Sequence, residues 1–201
     1  MPDSPQKNPF MADNQMTLAD VLKKIAADAE LDPQRRRNLC SAIRSLGKLM
    51  NRDLSYLPAH PGYYRKMFKG LHPEHCGLSK SRIANIKSDL LFALKYAGCI
   101  QGVRTYMAPL DDEWALLWEE AACVAKLRRY VSRFMHYCSA QGIAPEAVDD
   151  AVSEQLKQAL VDESFVGDPV RTHKGILRTW NKLVDQVPGW PQVMLTIATT
   201  G

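Results

Sequence analysis

The sequence predicts an all-α protein built from two small helical bundles in tandem. Apolar residues recur at three- and four-residue steps along most of the 201 residues. Residues 39–98 and 127–184 repeat one order of elements: a charged amphipathic helix, a short Pro-containing connector, a second helix, and a polar-capped third helix rich in Lys or Arg. A composition of 46% hydrophobic and 24% charged residues is enough to bury a core. The predicted divisions are a disordered leader (1–15), an N-terminal basic helical domain (16–100), a linker (101–111), a second helical domain (112–188) and a tail (189–201).

The first domain begins with two helices marked by their capping residues. Thr17 is a plausible N-cap for a helix over about 17–29. Asp32 followed by Pro33 begins a second helix over roughly 33–50, because Pro is favoured at the first helical position.

Two further helices complete the first domain. Pro61 opens a short helix that ends at His72-Pro73. Ser79 caps a longer helix that Gly98 ends. Its face away from the apolar residues is basic and hydrogen-bonding, with Arg82 near the edge; the other members are Lys80, Ser81, Asn85, Lys87, Ser88 and Lys95.

The second domain starts with a pattern from Trp114 to Gly142 that fits one long helix, or two joined near Ala122. An acidic helix over 146–163 follows, and we expect it to face water. Asp168-Pro169 then caps the last helix. Its apolar residues pack inward, whereas its basic residues recur at three- or four-residue steps as Arg171, Lys174, Arg178 and Lys182.

The charge of the chain is unevenly distributed. Residues 1–110 contain 17 Lys or Arg and 9 Asp or Glu, whereas residues 111–201 contain 9 and 13. The basic half is therefore the better candidate for contact with phosphates. Basic excess is equally typical of an ordinary solvated helix surface, so charge alone favours nucleic acid without deciding for it.

The two basic helix faces are the candidate surfaces for double-stranded DNA. Unsatisfied N–H groups at a helix N-terminus favour anions, and short polar side chains suit phosphates and base edges. The alternative is that Arg171, Lys174 and Arg178 only solubilise their helix or pair with the acidic helix. The candidate DNA-binding residues are Ser79, Lys80, Arg82, Asn85 and Lys87 in the first domain, and Arg171, Thr172, His173, Lys174, Arg178 and Lys182 in the second.

Cysteines and histidines indicate neither disulfides nor a metal. The five Cys are odd in number and form no Cys-x-x-Cys pair, which favours buried free thiols in a reducing cytoplasm. His72, His75 and Cys76 lack a second ligand pair at zinc-finger spacing, so no metal and no cofactor are predicted. No stretch approaches about 18 consecutive apolar residues, so no membrane association is expected.

Two aromatic groups have a structural and a functional interpretation. Tyr63-Tyr64-Arg65-Lys66 interleaves aromatic and basic residues and is a secondary candidate for nucleic-acid contact, with Tyr64 expected in the core. Trp114 and Trp118 are most simply core residues. The alternative is an exposed aromatic ridge that docks a neighbouring protomer.

The second domain resembles the core-binding domain of tyrosine recombinases, the phage-integrase-type site-specific recombinases. The resemblance is carried by Tyr130-x3-Phe134-x2-Tyr137-Cys138-x3-Gly142-Ile143-x-Pro145, then Val152 and Leu156, then Arg171-Thr172-His173 leading to Trp180-Asn181. The earlier segment resembles the helical region that precedes this domain in some long bacterial integrase-like proteins. It is carried by Ala42-Ile43-Arg44-Ser45-Leu46, Leu71-His72-Pro73 and Leu78-Ser79-x2-Arg82-x2-Asn85.

The resemblance implies SAM-like helical domains that form one jaw of a clamp on duplex DNA, with self-association on the DNA. The other jaw in the family is a separate catalytic domain, which supplies a tyrosine nucleophile. None of the five histidines, His60, His72, His75, His136 and His173, is followed by Arg at the third position, so the family's His-x-x-Arg element is missing. We therefore expect this bacterial or mobile-element chain to bind DNA for integration or recombination without cutting it. A stand-alone accessory DNA-binding regulator and an all-helical protein-interaction adaptor remain open.

Overall fold

The structure is a computed structural model that describes residues 15–100 and 109–198. Within these residues the chain forms helices and no β-strand, apart from one isolated bridge between Thr17 and Pro58, so the all-α prediction is confirmed. The α-helices are α1 (Leu18–Ala27), α2 (Pro33–Met50), α3 (Pro61–Gly70), α4 (Pro73–Cys76), α5 (Lys80–Tyr96), α6 (Asp112–Glu120), α7 (Ala125–Ala140), α8 (Asp150–Asp162) and α9 (Pro169–Gln186).

The N-terminal caps act as the sequence predicts. The Thr17 hydroxyl accepts the Asp20 N–H at 3.2 Å, and the Asp20 carboxylate accepts the Thr17 N–H at 2.9 Å, which makes a capping box. Asp32 and Asp168 cap α2 and α9, each with Pro at the first position. The segment after Trp114 forms two helices rather than one, because a 3₁₀ turn over Ala121–Val124 separates α6 from α7.

The described residues form two compact units. The first unit contains residues 15–100 together with Asp162–Gly167, and the second contains residues 109–161 and 168–198. Of the predicted leader and linker, residues 1–14 and 101–108 lie outside the described part of the chain.

The core of the first unit lies where α5 packs against α2 and α1. Arg35 at the start of α2 meets Asp89 in α5, whereas Ser45 later in α2 meets Arg82 at the start of α5, so the two helices run antiparallel. The fully buried side chains at the centre are Leu18, Val21 and Ile25 of α1, Leu39, Ile43 and Leu46 of α2, Tyr64 of α3, and Ile86, Leu90 and Leu94 of α5.

The core of the second unit is built around Trp180 of α9, which has no exposed surface. The centroid of its ring lies 6.3 Å from Trp114, 5.5 Å from Phe134 and 5.2 Å from Trp190. One aromatic cluster therefore joins α6, α7, α9 and the segment after α9.

Residues 189–198, within the predicted tail, pack on the second unit. Trp190 and Leu195 are buried, and the Trp180 indole N–H donates to the carbonyl oxygen of Val193 at 2.8 Å. The Asn181 amide donates to the Leu195 carbonyl at 2.9 Å and accepts the Leu195 N–H at 2.8 Å. The Thr196 N–H donates to the Asp150 carboxylate at 2.7 Å. These contacts have no local sequence signal, because they join residues 13 to 46 positions apart.

Candidate nucleic-acid interface

Helices α2 and α5 carry most of the positive charge of the first unit. Helix α2 contains four Arg, one Lys and no acidic residue. Helix α5 contains Lys80, Arg82, Lys87 and Lys95 with one acidic residue, Asp89. Asp89 is buried and accepts a hydrogen bond from Arg35 at 2.6 Å. The pairing neutralises the one acidic side chain of α5, so the two helices together keep a large excess of positive charge.

The outward face of α5 is narrow, polar and built from small side chains. Ser81, Ala84, Asn85 and Ser88 are exposed along it. Arg82 stands at the edge beside α2, where one guanidinium nitrogen donates to the Ser41 hydroxyl at 2.9 Å and to the Ser45 hydroxyl at 3.3 Å. Both partners are neutral hydroxyls, so these two hydrogen bonds hold Arg82 in place without neutralising its positive charge.

Helix α2 extends this surface with cations that the sequence reasoning did not assign to the site. Arg37, Arg44 and Lys48 are exposed, and they lie four residues before and three and seven residues after Ser41, so they share its side of α2. Arg82 contacts Ser41, so the basic side of α2 adjoins the edge of α5. We call this surface, defined by Arg37, Arg44, Lys48, Lys80, Arg82 and Asn85, the α2–α5 face. An 18-residue helix without an acidic residue was the signal that could have found it.

The predicted DNA-binding residues of α5 differ in how exposed their side chains are to a ligand. Lys80 and Asn85 are exposed. The Ser79 hydroxyl accepts the Arg82 N–H at 3.1 Å as the helix cap, so it is engaged within the helix. Lys87 is half-buried, with its ammonium 5.1 Å from the centroid of the Phe68 ring in α3. Lys80 and Asn85 are thus exposed members of the α2–α5 face, whereas Arg82 is its half-buried member and Lys87 lies outside it.

Helix α9 presents the second predicted basic stripe. Arg171, Arg178 and Lys182 are exposed, and Thr172 and Lys174 are half-buried. The Asn181 side chain, which follows Trp180 in α9, hydrogen-bonds with the backbone of Leu195. The stripe runs along one side of α9, opposite Trp180.

The prediction for His173 is wrong, because this side chain belongs to the core. It is 6% exposed, and its Nε2 lies 2.9 Å from the Ser153 hydroxyl of α8. His173 precedes Ile176, Leu177 and Trp180 by three, four and seven residues, which places it on the apolar side of α9. That spacing was visible in the sequence. Burial lowers the pKa of His173 below its ordinary value.

We expect the second unit to lose stability as the pH falls below about 6.5, the ordinary pKa of histidine. Because the pKa of His173 is lowered in the folded state, the unfolded chain binds this proton more readily. The contribution of the neutral ring is fully present above that pH and is lost as the pH falls through the folded-state pKa. All four Trp lie in the second unit. Urea unfolding followed by Trp fluorescence at pH 7.5 and 5.5 therefore measures this change.

The control for this experiment is His173→Gln, which keeps a polar group near Ser153 but cannot titrate. Its urea midpoint should change less between the two pH values than that of the wild type. Equal pH dependence in both proteins would contradict the assignment to His173.

Charge in the second unit is sorted by helix. Helix α6 has four acidic residues and no basic one, whereas α7 has Lys126, Arg128, Arg129 and Arg133 and no acidic one. Helix α7 packs against α9, so the two basic helices are neighbours. The DNA-binding residues predicted from the sequence include the basic residues of α9 but not those of α7.

The aromatic groups separate into core and surface. Tyr64 is buried, as expected, and its hydroxyl donates to the Pro58 carbonyl oxygen at 2.6 Å. Trp114 is fully buried, and Trp118 is covered by the Arg128 guanidinium at 4.2 Å from its ring centroid. The two Trp therefore do not form an exposed ridge. Tyr63 and Tyr130 are 44% and 62% exposed.

The remaining groups give no metal site in the part of the chain that the structure describes. No three His, Cys, Asp or Glu side chains there are grouped as metal ligands would be. The five cysteines are free; Cys40 and Cys138 are buried, but Cys123 is exposed, so the expectation of buried thiols is wrong for that residue. Within residues 15–100 and 109–198, every helix is too short or too polar to cross a bilayer.

Compared with protein-family models, curated proteins and solved structures, the chain gives no match in any of the three comparisons.

Proposed function

We propose that this chain binds double-stranded DNA, as the DNA-gripping part of an integrase-type recombinase that does not itself cut the strand. The observation that carries the proposal is the α2–α5 face. Its cations are held on two packed helices, and the one acidic residue within these two helices, Asp89, is already paired with Arg35. The basic stripe of α9 supplies a second contact surface in the other unit.

The α2–α5 face has the chemistry that phosphates require. Arg37, Arg44, Lys48 and Lys80 are exposed cations. Each Lys or Arg that neutralises a phosphate releases condensed counterions, and this release dominates the affinity of sequence-independent binding. The small side chains at Ser81, Ala84 and Ser88 allow the helix to approach a DNA backbone closely, and Asn85 offers both a donor and an acceptor.

The recombinase part of the proposal is supported by the resemblance of residues 130–181 to the core-binding domain. The absence of a His-x-x-Arg element supports binding without cleavage. An accessory DNA-binding regulator would use the same surfaces in the same way. A protein-interaction adaptor is less well supported, because Trp114 is buried and Trp118 is covered by Arg128.

Duplex binding should weaken steeply as salt is added. The logarithm of the association constant should fall with the logarithm of the salt concentration, with a slope of roughly −0.9 for each phosphate neutralised. Fluorescence anisotropy of a labelled random-sequence duplex at several salt concentrations measures the slope. Absence of duplex binding at low salt would overturn the proposal.

A further inference from the structure

We infer that Tyr63 is a stacking platform for an unpaired base, so that the first unit binds single-stranded DNA next to its duplex-binding face. The inference rests on the proposed function and adds that the DNA ligand includes a single-stranded part. Tyr63 lies on α3, and 44% of its surface is exposed. Exposed aromatic rings beside a basic surface are how proteins hold single strands without sequence preference, because every base has a π-face.

The Tyr63 ring is supported from behind by the core. It packs edge-on against Tyr64, with ring centroids 5.2 Å apart and an interplanar angle of 79°. Tyr64 has no exposed surface, and its hydroxyl is fixed to the Pro58 carbonyl oxygen at 2.6 Å. A ring that contacts a fixed neighbour and is still 44% exposed loses little conformational entropy when a base stacks on it.

Two exposed cations, Arg52 and Lys66, accompany the ring. A guanidinium nitrogen of Arg52 lies 3.5 Å from the Tyr63 hydroxyl. Lys66 is exposed one turn further along α3. The nearest acidic residue in sequence, Asp53, already accepts hydrogen bonds from the N–H and hydroxyl of Ser55. A base on Tyr63 would therefore have positive charge available for its neighbouring phosphates.

The platform continues the α2–α5 face. Arg52 follows the end of α2, and its N–H donates to the carbonyl oxygen of Gly47 at 3.1 Å, which folds it back beside the turn that carries Lys48. Basic residues thus lead from Arg44 through Lys48 and Arg52 to Tyr63. A DNA single strand whose phosphates contact the cations of α2 can place an unpaired base on the Tyr63 ring.

The test compares three DNA probes: a dT12 single strand, a 12-residue abasic strand with the same number of phosphates, and a 12-base-pair duplex. The wild type should bind dT12 about fivefold to a hundredfold more tightly than the abasic strand, because only dT12 can stack. Tyr63→Leu should lose that preference, whereas Tyr63→Phe should keep it. Duplex affinity should be equal in all three proteins, and far-UV circular dichroism checks that each is folded.

Failure of the stacking platform and failure of the proposed function give different results. If the wild type binds the duplex but Tyr63→Leu keeps the preference for dT12, the stacking platform is wrong and the proposed function stands. If Tyr63→Phe loses the preference together with Tyr63→Leu, the effect belongs to the hydroxyl and its contact with Arg52, and stacking is again overturned. If the wild type binds none of the probes, the proposed function fails with it.

Discussion

Replacing Arg44 and Lys80 together by alanine should weaken duplex binding on the order of fiftyfold at about 0.1 M salt. Each lost phosphate contact removes about 0.9 from the log–log salt slope, which corresponds to roughly eightfold in affinity at that salt concentration. Both side chains are exposed, and no hydrogen bond or ion pair joins either of them to another described residue, so the fold should be preserved. Anisotropy titrations at several salt concentrations give the affinity and the slope from the same data.

A charge-matched control is the double variant Lys23→Ala and Lys157→Ala. It removes two positive charges outside the α2–α5 face, one on α1 and one that pairs with Glu154 at 2.7 Å on α8. Its affinity for the duplex should change less than about threefold, because distant surface charges are screened at this salt concentration. Equal losses in the two variants would show that net charge drives binding and that the α2–α5 face is not the site.

Replacing Trp180 by alanine should destabilise the second unit by about 3–5 kcal/mol. The side chain has no exposed surface, contacts three aromatic rings, and donates its indole N–H to Val193. The change would leave a cavity, remove the aromatic contacts and release the segment after α9. The loss is comparable with the whole stability of many small domains, so much of the second unit should unfold in mild urea.

The fluorescence of the three remaining Trp reports this transition, because they also lie in the second unit. Circular dichroism reports both units and should retain the signal of the first at urea concentrations that unfold the second. Leu116→Ala is the control, since Leu116 is 63% exposed on α6 and should cost less than about 0.5 kcal/mol. A Trp180→Ala protein that unfolds at the wild-type urea midpoint would refute the central role of this ring.

Helix starts could be predicted because their causes are local. Thr17, Asp32, Ser79 and Asp168 each accept a backbone N–H two or three residues further along, and that geometry depends on adjacent residues alone. Helical periodicity likewise placed the core residues of α5 and α9. His173 was predicted to bind DNA because its side chain is polar, although its spacing places it on the apolar side of α9, where it is buried.

The candidate site was harder to predict because it depends on contacts between distant residues. Arg82 reaches Ser41 and Ser45 across 41 and 37 positions, and this contact brings the start of α5 beside the exposed cations of α2. The membership of Asp162–Gly167 in the first unit, between two helices of the second, likewise has no local signal. Periodicity assigns a residue to a side of its own helix, but it does not say which helix lies beside it.

The sorting of charge among the helices of the second unit affects how it meets a ligand. Positive residues on α7 and α9 and negative ones on α6 give this unit an electric dipole moment. If the ligand is DNA, as we propose, its field exerts a torque on this dipole and turns the basic helices toward the DNA before any atoms touch. A larger fraction of collisions is then productive, so the dipole should raise the association rate constant and leave the dissociation rate constant to the contacts themselves.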